Sequence, residues 1–198
     1  MVGRAAELAR IAEALEAGEP GVLLAGPAGV GKTRLTVECL ALAEARGCRT
    51  ARVRANKAAA TIPYGAFAPL LPRTHHPDES PAATLGRATD AVLGLGADEP
   101  LFLVVDDAHD LDDASTALLH HLVVGGGLFT LVTVRTGEPT PEPVAALWKH
   151  DLLTRIDLPP LSADDIGRLV AHEIGGPVDG GTAHTLFATS GGNPLFLR

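Results

Sequence analysis

The chain has 198 residues, of which 46% are hydrophobic and 20% are charged, and its formal net charge is −8 at pH 7. This length allows a single domain with a sizeable core, and the composition excludes an intrinsically disordered chain. The acidic balance argues against a domain whose main surface binds the phosphate backbone of nucleic acids.

Neither a membrane span nor a signal peptide is predicted. No run of about 18 uncharged apolar residues is present, and the N-terminal segment lacks the apolar middle of a signal peptide. Cys39 and Cys48 have no CxxC spacing and are too few for a disulfide scaffold. We therefore expect a cytoplasmic protein with two reduced cysteines.

The first half of the chain alternates between helix and strand patterns. Apolar residues three and four apart predict a helix over 5–16, and the apolar run 21–26 predicts a strand that leads through a glycine-rich turn to a helix over 33–47. Residues 50–55 alternate like a second strand. Several prolines in 56–80 exclude one regular helix and predict a long irregular connection.

The second half continues this alternation. Two solid apolar runs, 101–107 and 128–135, are typical of strands buried on both faces, and both end in charged residues. Ser162 and Asp165 form a capping-box pattern at the start of the last predicted helix. The other predictions are helices over 82–95, 112–124, 141–150 and 162–175 and a short strand over 154–161.

The order of these elements predicts the fold class. Strands that alternate with helices from residue 21 to 158 predict an α/β fold, a parallel sheet with helices on both faces and ligands at the carboxyl ends of the strands. Only helical patterns follow residue 162. We therefore predict a sheet-containing core over residues 1–160 and the beginning of a small helical subdomain over 161–198.

The residues from 26 to 33 carry the strongest chemical signal. They read GPAGVGKT and fit the phosphate-binding pattern G-x-x-x-x-G-K-[ST] at every fixed position. Glycines let the backbone turn so that its N–H groups and the start of the next helix point at phosphates. A chance glycine-rich turn is the alternative, but the position between an apolar strand and a strong helix favours a P-loop. The candidate nucleotide-binding residues here are Gly26, Pro27, Ala28, Gly29, Val30, Gly31, Lys32, Thr33 and Arg34.

Five side chains have predicted roles in phosphate chemistry. Lys32 would reach the β and γ phosphates, and the hydroxyl of Thr33 would bind Mg²⁺. Asp106 would hold the water shell of the same Mg²⁺, and Asp107 would polarise the attacking water. Arg135 ends the next strand, where its guanidinium would contact the γ phosphate. Without the P-loop, charged residues at strand ends would be interpreted as solvated surface residues.

Other patterns in the sequence limit which base and which metal ion the site is expected to bind. Asn56 and Lys57 begin like a guanine-reading NKxD motif, but Ala59 stands at the aspartate position, so adenine is the expected base. The eight histidines form no HExxH or four-ligand pattern, and no metal other than Mg²⁺ is predicted.

The whole chain resembles the ATPase module of the STAND class of P-loop NTPases, which is found at the N-terminus of large LuxR-type transcriptional regulators. The likeness rests on several blocks that follow one another in the same order as in that class. They are the opening element around Gly3 and Arg4, the extended Walker B segment VVDDAHDLDDAS, and the later blocks 133–139, 147–162 and 190–198.

This resemblance implies a molecular switch that binds ATP or ADP with Mg²⁺ between the sheet and the helical subdomain and hydrolyses ATP slowly. It implies that Arg4 lies near the nucleotide, that Arg135 is the sensor arginine of the class, and that Pro194 packs near the adenine. Asp112 matches a further Walker B aspartate, which we expect to cap a helix.

In the resembled regulators a winged-helix region, a helical-repeat sensor and a C-terminal helix-turn-helix follow this module, whereas the present sequence stops at Arg198. We therefore expect no direct contact of this chain with DNA, and weaker nucleotide binding because part of the enclosure is missing. A fragment and a truncated gene product are both open interpretations. ATP-dependent self-association is a further expected property.

Three functions fit these residues. The first is a nucleotide-switched signalling module with slow hydrolysis. The second is a turnover ATPase, either a small-molecule kinase, whose substrate pocket only residues 56–80 would supply, or a remodelling AAA-type ring. Such a ring needs an arginine from a neighbouring subunit, for which Arg155 and Arg168 are the candidates. The third is a truncated remnant that binds nucleotide weakly.

Overall fold

A computed structural model describes residues 2–73 and 80–197 of the chain. Its strands form one five-stranded sheet in which all pairings are parallel. The strands are β1 (Gly21–Gly26), β2 (Arg49–Arg54), β3 (Leu101–Asp106), β4 (Leu128–Arg135) and β5 (Thr154–Asp157). Their order across the sheet is β2-β3-β4-β1-β5, so the predicted parallel α/β fold is confirmed.

Helices cover both faces of this sheet. On one face lie α1 (Ala5–Glu16) and α2 (Lys32–Ala45), and on the other lie α3 (Pro81–Leu93), α4 (Asp113–Gly125) and α5 (Glu142–Lys149). Two more helices, α6 (Ala163–Ile174) and α7 (Gly180–Ser190), follow β5. Two apolar layers lie between sheet and helices, because successive side chains of a strand point to opposite faces. Val22 and Leu24 of β1 join the layer of α1 and α2, whereas Leu23 and Ala25 join the layer of α3, α4 and α5.

The bounds of most strands and helices lie within two residues of the predicted ones, and β5 is the exception. It ends at Asp157, four residues before the predicted end. The N–H of Leu158 still donates to the carbonyl of Ala25 at 2.7 Å. Pro159 and Pro160 follow and have no N–H to extend the ladder, so the strand stops there.

The connection between β2 and α3 has no long helix, as predicted. It contains two 3₁₀ turns, Ala59–Thr61 and Ala68–Leu70, and places the ring of Phe67 in the core. Residues 74–79 of this predicted connection lie outside the described residues.

Among the described residues that follow β5, the regular elements are helices and a final 3₁₀ turn. Ser162 and Asp165 form the predicted capping box at the start of α6. The division into a core over 1–160 and a helical subdomain over 161–198 stays a prediction. Within residues 2–73 and 80–197, no helix combines the length and apolar character that a membrane crossing requires.

Candidate functional site

The carboxyl ends of three neighbouring strands meet at one edge of the sheet. β4 pairs with both β1 and β3, and its last residue, Arg135, lies opposite Gly26 at the end of β1. Asp106 ends β3 at the same edge. The sheet order therefore brings the loop 26–33, the Asp106–Asp107 pair and Arg135 together, at the place where parallel sheets bind ligands.

The loop after β1 reaches α2 through left-handed backbone. Gly29 has a φ of 77° and Gly31 a φ of 105°, conformations that are strained for residues with a side chain. No side chain caps α2 at Gly31. The first N–H groups of the helix therefore remain available to an anion, and the positive end of the helix dipole points the same way.

The side chain of Lys32 lies inside the turn of this loop. Its Nζ donates hydrogen bonds to the carbonyl oxygens of Gly26 at 2.6 Å and Pro27 at 2.9 Å. Burial lowers the pKa of this ammonium group below its ordinary value, and the nearby carboxylate of Asp107 opposes that shift. A cation is therefore held in the loop, where phosphate oxygens are better partners than two neutral carbonyls.

The carboxylate of Asp106 is fully buried and has three hydrogen-bond donors. Its Oδ2 accepts from the hydroxyl of Thr33 at 3.0 Å and from the guanidinium of Arg52 at 2.9 Å. Its Oδ1 accepts from the hydroxyl of Thr133 at 2.7 Å. Thr33 and Asp106 thus present a hydroxyl and a carboxylate oxygen side by side, the donor types that Mg²⁺ prefers, so these residues fit the predicted ion.

Asp107 is the turning point after β3. Its φ of 58° lies in the left-handed region, and its N–H donates to the Thr133 hydroxyl at 2.9 Å. The nearest guanidinium atoms are those of Arg135 at 3.5 Å and Arg54 at 3.6 Å, one on each carboxylate oxygen. The two residues with predicted catalytic roles, Asp107 and Arg135, are therefore neighbours.

Arg135 has a second acidic partner. Its guanidinium donates to Oε1 of Glu138 at 3.2 Å, and this hydrogen bond raises the pKa of the arginine and lowers that of Glu138. Glu138 thus holds the guanidinium from one side while Asp107 attracts it from the other.

The side chains of two further candidate residues, Arg4 and Arg34, differ in whether they contact the P-loop. Arg4 is buried, and its guanidinium donates to the carbonyls of Val30 at 3.1 Å and Pro159 at 2.6 Å, so it supports the P-loop from behind. The side chain of Arg34 is 69% exposed and pairs with Glu38 on the outside of α2. Its guanidinium therefore lies outside the site, whereas its backbone N–H belongs to the first turn of α2.

The segment around Pro194 lies against the P-loop. The side-chain amide of Asn193 donates to the carbonyl of Ala28 at 2.8 Å. A Cβ on Gly29 would come within 2.4 Å of the Cβ of Leu195. Pro194 stands between these two contacts, next to the loop that the sequence assigns to phosphate binding.

Asp112 and the two candidate arginines for a ring have structural partners. Asp112 caps α4 through the N–H of Ser115 at 2.9 Å and also accepts from the N–H of Tyr64 at 3.0 Å, so it fixes the preceding connection. Arg155 and Arg168 pair with acidic neighbours on their own chain segments, Asp157 and Asp165.

Sequence reasoning missed three residues of the site: Arg52, Arg54 and Thr133. The sequence carries a partial signal for the arginines, because the alternation in β2 places both on one face. In the structure, Arg54 pairs in register with Asp106. Thr133 stands in an apolar strand two residues before Arg135, on the same face. These residues reach the site only because their strands lie next to β3. The order of the strands in the sheet could not be read from the sequence.

A cavity of about 330 Å³ lies elsewhere, between the β2–α3 connection and α3. Tyr64, Leu71 and Arg87 are among the residues that line it, and none of its lining residues belongs to the P-loop. The β2–α3 connection was the predicted source of a kinase substrate pocket. It does line a cavity, but this cavity does not include the P-loop.

Residues 1–134 match the family model described as the AAA ATPase domain. No curated protein matches the chain.

Several solved structures share the fold at low sequence identity. The ORC1 protein of Aeropyrum pernix in complex with DNA is 21% identical with a TM-score of 0.62, and the match covers 87% of this chain and 49% of that one. AMPPCP-bound DnaA from Aquifex aeolicus is 17% identical with a TM-score of 0.61, covering 93% and 56%. A signal transduction ATPase with numerous domains and a tetratricopeptide-repeat sensor, from Pyrococcus horikoshii, is 18% identical with a TM-score of 0.59, covering 100% and 29%. The chain thus spans about half of the first two proteins and under a third of the last.

Proposed function

Because the chain belongs to the AAA ATPase domain family, we propose that it is an ATP-binding switch module that binds Mg-ATP and hydrolyses it slowly. One observation carries this proposal: the Thr33 hydroxyl and the Asp106 carboxylate meet at 3.0 Å, beside a buried Lys32 in a P-loop. A hydroxyl, a carboxylate and a cation in this arrangement serve a metal ion and a polyphosphate together.

Each residue has a defined task in this proposal. The N–H groups of the P-loop and of the first turn of α2 bind phosphate oxygens, and Lys32 exchanges two loop carbonyls for the β and γ phosphates. Thr33 and Asp106 hold Mg²⁺, which neutralises phosphate charge when it is bound. Asp107 orients the attacking water, and Arg135 contacts the γ phosphate.

The surroundings of Asp107 favour slow hydrolysis. Arg135 and Arg54 each approach one of its carboxylate oxygens. A water molecule must therefore compete with two guanidinium groups for the carboxylate that would orient it. A module that hydrolyses bound ATP slowly stays in its ATP-bound state for a long time, which suits a switch.

The regulatory context rests on the resemblance to LuxR-type regulators and on the position of Pro194. Asn193 and Leu195 contact the P-loop on both sides of this proline. We propose that the segment from α6 to Leu197 completes the adenine side of the pocket. We also propose that the position of this segment differs between the bound nucleotides, and that partner domains of a transcriptional regulator respond to this difference.

Calorimetric titration of the folded chain with Mg-ATP tests this function. We expect saturable binding of ATP, weaker binding of GTP, and loss of ATP binding by at least about 100-fold in Lys32→Ala, since charged hydrogen bonds to phosphate contribute about 1.5–3 kcal/mol each. Arg34→Ala is the matched control, because its exposed side chain contacts Glu38. Equal binding by wild type and Lys32→Ala contradicts the site.

The turnover rate separates the switch from a turnover ATPase. We expect hydrolysis well below the typical enzymatic range of about 1–1000 per second. A rate within that range, lost in Asp107→Asn, would support a turnover ATPase instead.

A further inference from the structure

A second group of possible metal ligands lies at the same edge of the sheet as the proposed phosphate site. His109, Asp110 and Glu138 each offer one ligand atom, and these atoms lie within 4.8 Å of one another. His109 and Asp110 belong to a short 3₁₀ turn after β3, whereas Glu138 follows β4. Because β3 and β4 are neighbours, the sheet brings the three side chains to one point.

The imidazole of His109 is buried without a partner. Its side chain is 1% exposed, and among the described residues neither Nδ1 nor Nε2 has a hydrogen-bond partner. Leaving a buried polar atom without a partner is unfavourable, because the atom has lost its hydrogen bonds to water. Nε2 faces two carboxylates, Oε2 of Glu138 at 3.6 Å and Oδ2 of Asp110 at 3.9 Å. These separations are too long for hydrogen bonds.

The same separations suit ligands that share a small ion. With bonds of about 2.0–2.2 Å in a tetrahedron, ligand atoms lie about 3.3–3.6 Å apart. The two separations from Nε2 lie within a few tenths of an ångström of these values, and all three ligand atoms lie within 4.8 Å of one another. Side-chain shifts of about 1 Å or less would therefore bring the three ligands around one ion. Imidazole favours Zn²⁺ over the harder Mg²⁺ and Ca²⁺.

We propose that His109, Asp110 and Glu138 bind one Zn²⁺, with Nε2 of the histidine and one oxygen of each carboxylate as ligands. Water would complete the four ligands that Zn²⁺ prefers. The sequence predicted no such metal, because ligands at 109, 110 and 138 have no recognisable spacing and meet only through the order of the strands.

Glu138 connects this ion to the phosphate site. Its Oε1 accepts from Arg135 while its Oε2 faces His109, so the carboxylate serves both without conflict. Zn²⁺ on Oε2 would hold Glu138 in the position that supports Arg135. The positive charges of Arg135 and Lys57 also act on Glu138 and oppose a cation, so we expect micromolar rather than nanomolar affinity. The side chain of Glu138 is 39% exposed, which gives the ion a path.

Competition between the untagged chain and a chromophoric Zn²⁺ chelator, without nucleotide, tests this proposal. We expect one Zn²⁺ per chain, and affinity reduced by at least about tenfold in Glu138→Gln and in His109→Gln. The exposed Glu138→Gln keeps the test valid if the buried histidine variant does not fold. Two controls should bind Zn²⁺ like wild type: His121→Gln for exposed histidines and Cys48→Ser for thiols.

Cobalt provides a second measurement on the same variants. Co²⁺ in a four-coordinate site should give visible absorption bands in the wild-type chain that Glu138→Gln lacks. Absence of saturable Zn²⁺ binding by the folded wild-type chain would overturn the proposal. So would Zn²⁺ binding that survives Glu138→Gln unchanged or that disappears in Cys48→Ser.

Discussion

The sheet edge that carries the proposed phosphate site and the helical segment that follows it are held in place very differently. At the sheet edge, Asp106 is fully buried and accepts hydrogen bonds from Thr33, Arg52 and Thr133. In the helical segment, α6 buries Ile166 and α7 buries Ser190, and their remaining described side chains are at least partly exposed.

The exposed side chains of the helical segment extend this contrast. Ile174 is 65% exposed and Phe196 is 67% exposed. Contacts of the segment with the core include the Asn193 amide on Ala28 and the backbone bond from Leu161 N–H to the Gly192 carbonyl at 2.8 Å. A segment with few buried contacts moves at low cost in free energy. The phosphate half of the site is therefore fixed by the fold, whereas the proposed adenine half is free to respond to the nucleotide.

Replacing the buried carboxylate at the sheet edge should have the largest effect on the Mg²⁺ dependence of ATP binding. Asp106→Asn removes the charge that would hold Mg²⁺ and leaves Arg52 without its ion pair. We expect the Mg²⁺-dependent part of ATP affinity to fall by at least about tenfold. Titrations with and without Mg²⁺ measure it, and Asp113→Asn, at an exposed position in α4, is the control. An undiminished Mg²⁺ effect in Asp106→Asn would remove this residue from the metal site.

Arg4→Ala tests whether the P-loop depends on the core behind it. The buried guanidinium donates to Glu7 and to the carbonyls of Val30 and Pro159. Leaving these acceptors without a donor should lower the free energy of unfolding by about 3 kcal/mol. Arg10→Ala, at an exposed position of α1, should change it by less than about 0.5 kcal/mol. Denaturant unfolding compares the two, and equal stabilities would show that Arg4 has no bracing role.

Asn193→Ala should act on the helical segment and spare the sheet. It removes the amide that donates to Ala28. We expect a cost in stability of about 1 kcal/mol or less, with a several-fold change in ATP affinity. His184→Ala, at an exposed position of α7, should change neither quantity. If Asn193→Ala lowers the thermal midpoint without changing ATP binding, the segment contributes stability and not nucleotide contacts.

The smallest of these effects is expected at low pH, where protonation of Asp165 should destabilise the first turn of α6. Hydrogen bonds from Ser162, with the Arg168 charge in support, hold the pKa of Asp165 below its ordinary value of 3.8. A lowered pKa in the folded state means that the cap stabilises fully above pH 3.8 and loses its contribution as the pH falls through the lower folded value. The protection of amides at the start of α6, measured relative to their intrinsic exchange rate at each pH, should fall over this range in wild type. In Ser162→Ala, exchange should already be faster at neutral pH, and an unaltered rate there contradicts the cap.

The part of the site that one continuous stretch encodes was predictable. The strand, loop and helix from Gly21 to Ala45 appear within two residues of their predicted bounds, because apolar periodicity and glycine positions are local signals. Asp112 and Ser162 are helix caps, as predicted.

Features that depend on neighbouring strands or on helix direction were not predictable. Arg52 and Thr133 meet at Asp106 only because β2 and β4 lie on either side of β3. Arg34 was included for its place in the sequence, but two residues along a helix rotate a side chain by about 200°. It therefore points away from Lys32, toward Glu38 and solvent.

Amide hydrogen exchange with and without Mg-ATP tests the central claim, that a fixed phosphate edge is paired with a responsive helical segment. We predict slow exchange in β1, β3 and β4 in both conditions, and new protection from α6 to Leu197 that appears with Mg-ATP in wild type and not in Lys32→Ala. ATP bound to the wild-type chain without any change of exchange in that segment would contradict the account.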